Sequence, residues 1–153
     1  MSSLTPEEFW DLYEETLDEK LDHPHIEISI AGNAEIADEL LALYLSGKKS
    51  AGSGLVKDYE LAGDPLPEVD NFWIILDSKN NPRCIVKTIA VEINKFSDIS
   101  KKIAEAEGEG DLSVEHWKKA HRDFFTPYLN DWSIVDLDDE DVVTEFYEVV
   151  FQK

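Results

Sequence analysis

Three short stretches of the sequence carry residue types that could do chemistry. The first is "GKKSAGSG", residues 47–54, where Lys48, Lys49, Ser50 and Ser53 sit among Gly47, Gly52 and Gly54. Small residues let a ligand come close to the backbone, and bare N–H groups beside a lysine favour an anion. The glycine spacing is not that of a Walker loop. A plain connector competes with this reading, with the lysines meeting the negative end of the preceding helix. The second stretch is "AEAEGEGDLS", where Glu105, Glu107, Glu109 and Asp111 alternate around Gly108 and Gly110. Such a run could hold a divalent cation or keep one carboxylate beside a lysine as a proton carrier, although it lacks EF-hand spacing. A solvated acidic turn is the bland alternative. The third is "HWKKAHRDFF". Its histidines, His116 and His121, are five residues apart and share no helix face, which argues against a metal pair. His121 is then either a general acid or base, or a hydrogen-bonded histidine packed near Trp117, Phe124 and Phe125.

The chain that must position these residues has 153 of them, enough for one domain with a real core. It is 42% hydrophobic and should fold. It carries 34 acids against 14 bases, a net charge of -20. The balance is uneven: residues 1–46 carry a net -11, residues 47–104 a net +1 and residues 105–153 a net -10. No broad basic face can form, so duplex DNA is not an expected partner. No apolar run approaches the roughly 20 residues that span a bilayer, so no membrane partner is expected either. The acidic, amphipathic N-terminus does not read as a signal peptide. The lone Cys84 can form no internal disulfide. It points to a cytoplasmic protein and reads as a small core residue.

The elements follow from local pattern. Thr5, Pro6 and Glu8 open a first helix whose Phe9, Tyr13 and Leu17 form one stripe. "HPHIEISIAGN" reads as a connector with a short extended piece. A second helix covers "AEIADELLALYLSG", with Asn33 as its cap and Gly47 as its stop. "LVKDYEL" reads as a strand, and Pro65 and Pro67 break the segment after it. "FWIILD" and "RCIVKTIAVEINKF" are strands, the second long enough to need a bend or bulge. A short helix, the acidic glycine loop, a longer helix capped by Ser113 and a final strand over "DDEDVVTEFYEVVFQK" complete the chain. Helices first and separated strands later predict an α+β fold with a mostly antiparallel, curved sheet.

Taken together, "LSGKKSA", "GDPLPEVDNFWIILD", "NPRCIVKTIAVEINKF" and "AEAEGEGDLSVEHWKKAHRDFF", in that order, resemble the ASCH domain family from about Phe9 onward. The resemblance implies a PUA-like curved β-barrel of mostly antiparallel strands with N-terminal and inserted helices. It implies a single domain over residues 1–153, with residues 1–32 as an N-terminal helical extension. It also implies a cleft that faces RNA, a nucleotide or a nucleoside. Family members are suspected of binding RNA, and some are hydrolases: a small acetylcytidine amidohydrolase and a member that cuts RNA. The amidohydrolase group is a lysine, a threonine three residues later and a distal glutamate. Those positions fall on Lys49, Gly52 and Glu107 here. Glycine has no hydroxyl, so Ser50 or Ser53 would have to supply one. The expected role is recognition of RNA or a modified nucleoside, with Lys48, Ser50, Gly52, Glu109 and Trp117 lining the ligand. The rival is a hydrolase using Lys49, Glu107, Ser53 and His121. A third reading is an acidic module that binds a basic protein. No metal and no cofactor are expected. Trp73, Trp117 and Phe125 could each stack on a base, but each reads first as core.

Overall fold

The computed structural model describes residues 4–153. Five helices of more than one turn and five strands follow one another along them: α1 (Pro6–Glu14), β1 (Ile26–Ile30), α2 (Ala37–Ser46), β2 (Ala51–Leu55), α3 (Val56–Ala62), β3 (Phe72–Leu76), β4 (Pro82–Lys95), α4 (Lys101–Glu107), α5 (Val114–Phe125) and β5 (Asp141–Gln152). The strands hydrogen-bond in the order β1-β3-β4-β5-β2. The sheet is mixed: β1 runs parallel to β3, whereas β3–β4 and β2–β5 are antiparallel. No helix among the described residues is long and apolar enough to cross a membrane.

The chain divides into two compact units. The first comprises Met1–Lys48, Val69–Ile89 and Tyr147–Lys153. There the Thr5 hydroxyl accepts from the Glu8 amide at 3.1 Å and the Glu8 carboxylate accepts from the Thr5 amide at 3.0 Å, so the expected capping box forms. Phe9, Trp10 and Tyr13 of α1 pack with Phe72, Ile74, Leu76 and Ile85 of β3 and β4. Ala31, Leu40, Leu41 and Tyr44 pack with Ile75, Cys84 and Val86. Of the expected bend or bulge, the structure shows a register shift between β3 and β4 at Ile75 and Leu76.

The second unit comprises Lys49–Glu68 and Ala90–Phe146. Its core joins Leu55 and Val142 of the strands to Ile103, Ala104, Trp117 and Phe125 of α4 and α5, with Phe96 between them. Ser100 and Ser113 cap α4 and α5 through the amides of Ile103 and His116.

Three local readings need correction. In "LVKDYEL" only the buried Leu55 is strand, the end of β2; the residues after it form helix α3, which has no buried residue. No packing opposes the helical form of its charged and straight-chain residues, and Gly63 ends it at φ 75°. Asn33 does not cap α2. Its side chain accepts from the amides of Glu35 and Ile36, in a turn just ahead of the helix. The glycine loop is only partly a loop, because residues 51–55 form β2 against β5.

Candidate functional site

Every side chain at the centre of the candidate site belongs to the second unit. β2 lies antiparallel to β5 with Ser53 opposite Thr144. Side chains alternate along a strand, so Ala51, Ser53 and Leu55 share one face while Gly52 and Gly54 lie on the other. Ala51 and Leu55 are buried, which turns the Ser53 face inward. α4 supplies Glu107 as its last residue. Gly108 follows in the left-handed region at φ 68°, and Glu109 comes next. α5 supplies Trp117 and His121, one turn apart on one face.

Glu107 is the hub. It is 2% exposed and fully surrounded by donors. Its Oε1 lies 3.3 Å from Lys49 Nζ and 3.2 Å from His121 Nε2. Its Oε2 accepts from the Ser53 hydroxyl at 2.7 Å and from the Trp117 indole N–H. Burial alone would push this carboxyl up. The hydrogen bond and charge of His121, the charge of Lys49 and the Trp117 bond outweigh it and hold the pKa at about 2. Glu107 is therefore a carboxylate in the folded protein.

Lys49 is 4% exposed, so it is a buried lysine although it lies on a glycine-rich stretch. Its ammonium has three proton acceptors: the Glu107 carboxylate, the Glu107 backbone carbonyl at 3.3 Å and Glu109 Oε2 at 3.0 Å. Beside it, the Ser50 amide donates to the Ala106 carbonyl at 2.6 Å. The lysine does sit on the negative end of a helix, but on α4 rather than on α2, which precedes it in the chain.

The proton count on the other donors is constrained. His121 Nδ1 lies 2.9 Å from the Trp117 carbonyl, which can only accept, so Nδ1 carries hydrogen. Nε2 faces the Glu107 carboxylate at 3.2 Å. The imidazole also stacks on the Trp117 indole, centroids 3.9 Å apart. The Ser53 hydroxyl gives its proton to Glu107, so the 2.7 Å contact with Thr144 Oγ1 has Thr144 as donor. Thr144 is fully buried.

The structure therefore brings together Lys49, Ser53, Glu107, Glu109, Trp117 and His121. Ser50 is exposed and only skirts the cluster through Ala106. Lys48 is exposed, with its amide on the Ser46 hydroxyl. Gly52 pairs with Glu145 on the opposite face of β2, so the hydroxyl against the carboxylate is that of Ser53, one residue later. Glu105 pairs with Lys101 at 3.7 Å, and Asp111 accepts from the Ser113 amide at 2.9 Å. The place a cation would take between Glu107 and Glu109 is held by the Lys49 ammonium. Trp117 and Phe125, each 3% exposed, are core residues and do not offer a free stacking face. Sequence reading missed Thr144. Its only signal is its register opposite Ser53, which needs the β2–β5 pairing to be known.

The ASCH domain family model matches residues 27–151. Among solved structures, an ASCH domain from Lactobacillus crispatus aligns with a TM-score of 0.84 at 26% identity, covering 94% of this chain and 92% of that one. A protein from Enterococcus faecalis aligns at 0.83 and 27% identity, covering 94% and 86%. An ASCH protein from Zymomonas mobilis shares the fold at 0.50 and 11% identity, over 80% and 66%. No curated protein matches the chain.

Proposed function

The chain belongs to the ASCH domain family, with its α+β, PUA-like fold, and from this premise we propose that it recognises a nucleoside, either free and modified or within single-stranded RNA, at the Lys49–Glu107 cluster. One observation carries the reading. A buried carboxylate has drawn a lysine, an imidazole, an indole N–H and a hydroxyl onto its two oxygens. Such a network is costly to assemble unless fully satisfied, and here its donors and acceptors are fixed before a ligand arrives. Ser53, Glu109 and His121 are its part-exposed members and would meet the ligand first. A single nucleoside needs no broad basic surface, and the acidic flanks work against duplex nucleic acid by like-charge repulsion.

A second reading, a hydrolase acting on RNA or acylated nucleosides, is favoured by the Ser53–Glu107 bond. It supplies a hydroxyl beside an ionised carboxylate where the family's threonine position is Gly52. On an acylated nucleoside, Glu107 would take the Ser53 proton as the oxygen bonds to the acyl carbon, and would pass that proton to the amine nitrogen as its bond to the acyl carbon breaks, leaving the acyl group on Ser53 for water to release.

Titration of the protein with cytidine, acetylcytidine and a short single-stranded RNA, followed by NMR, tests recognition. Chromatography of the same mixtures tests turnover. Shifts centred on Ser53 and Glu109, reduced in Glu109→Gln, support recognition. Product that disappears in Ser53→Ala moves the conclusion to the hydrolase. Neither shifts nor product with any of the three ligands overturns both readings.

A further inference from the structure

The end of α5 and the turns after it form an aromatic surface that the Lys49–Glu107 cluster does not use. Phe124 is 36% exposed and Tyr128 45%. Neither ring is loose. Phe124 stands edge-on to Phe125 with centroids 5.7 Å apart, Tyr128 stacks on Trp132 at 5.2 Å, and Trp132 meets Phe125 at 6.1 Å. Phe124 and Tyr128 close the set at 6.5 Å. Phe125 belongs to the unit's core and Trp132 packs against it, so the two outer rings rest on a fixed base. Large apolar rings held open to water mark interaction sites more often than single scattered ones do.

The chemistry around the rings selects the occupant. Residues 123–140 contain Asp123, Asp131, Asp136, Asp138, Asp139 and Glu140, with no lysine or arginine among them. Asp123 is engaged by Lys119, Asp139 by Lys95, and Asp138 by Arg122, which also lies over the Phe96 ring. Asp131 is exposed in the turn between Tyr128 and Trp132. An RNA strand would find rings to stack on but would bring its phosphates against carboxylates. A guanidinium satisfies both features at once, because it is planar enough to stack on a ring and carries the charge that carboxylates attract. We propose that the Phe124–Tyr128 surface docks an arginine-rich segment of a partner protein, with guanidinium groups over the two rings and Asp131 as their ionic contact. This surface adjoins the nucleoside cluster through the His121–Phe125 ring contact at 5.9 Å, but Phe124, Tyr128 and Asp131 take no part in that cluster and the proposal does not depend on it.

The test uses NMR titration of the full chain with an arginine–glycine repeat peptide, its lysine–glycine counterpart and single-stranded oligouridylate. The arginine peptide should move the signals of Phe124, Tyr128 and Trp132 and bind more tightly than the lysine peptide. Tyr128→Ala should weaken it by about fivefold, while Tyr128→Phe keeps the binding. A urea midpoint close to wild type for Tyr128→Ala confirms that the variant is folded, and Phe124→Ala gives a second reading if it is not. Equal binding of both peptides, indifferent to either ring, would mean diffuse charge attraction and overturns the proposal. So does the absence of peptide binding, or oligouridylate moving the same signals.

Discussion

The ammonium of Lys49 meets Glu107 twice, 3.3 Å from its carboxylate and 3.3 Å from its backbone carbonyl. One side chain thus neutralises the buried acid and ties down the last turn of α4. The lysine is structural whatever else it does.

Lys49→Met should therefore destabilise the protein severely, by about 3–5 kcal/mol, because it leaves the buried Glu107 charge without its lysine. The double variant Lys49→Met with Glu107→Gln should recover part of the loss. Urea unfolding of the two variants checks this, and a Lys49→Met protein as stable as wild type would refute the buried pair.

Acid should weaken the fold through Glu107. Its pKa is about 2 when folded, against an ordinary value of 4.5. A depressed carboxyl adds stability that is fully present above about pH 4.5 and is lost as pH falls toward about 2. Glu107→Gln should be less stable than wild type near neutral pH but should lose less on acidification through that window. Unfolding free energy measured against pH for both proteins decides it.

Thr144→Val should cost about 1 kcal/mol, since it removes the fully buried Thr144 donor to the Ser53 oxygen. Thr144→Ser should keep most of that energy. If Ser53 acts on a ligand, the valine variant should also lose binding or turnover beyond what its stability explains, and serine should restore it.

Cys84 should be silent. It is fully buried, and burial pushes its thiol up to about 12 despite the nearby Arg83. A thiol reagent should label it only as fast as the protein opens. Labelling rates measured with and without urea will show whether reaction requires unfolding.

Elements with strong local signals were readable in the sequence. α1 announces itself through Thr5, Pro6 and Glu8, and β3 and β4 through stretches rich in aromatic and β-branched residues. The grouping of Lys49 with Glu107 came from family resemblance, because nothing local links residues 58 apart. α3 was misread because Val56 and Tyr59 suggest a strand, while its exposed surroundings leave the helix unopposed. The burial of Lys49 was not readable either, because a lysine between another lysine and a serine is normally solvated until a distant carboxylate claims it. The identity of the hydroxyl turned on strand phase. Residue 53 faces the acid and residue 52 does not, a distinction that appears only once β2 is known to be a strand.

The cluster also has an order in time. Glu107 finds Trp117 ten residues away in the chain, a short closure that the α4–α5 pair can make early. Ser53 must reach 54 residues to Glu107 and 91 to Thr144, and Lys49 must reach 58 to Glu107. The half of the site on α4 and α5 should form first and the β2 half last, after the folding barrier. Substitutions at Ser53 and Lys49 should then act mainly by speeding unfolding, while those at Trp117 should slow folding itself. Stopped-flow refolding and unfolding rates for Ser53→Ala and Trp117→Phe would separate the two halves.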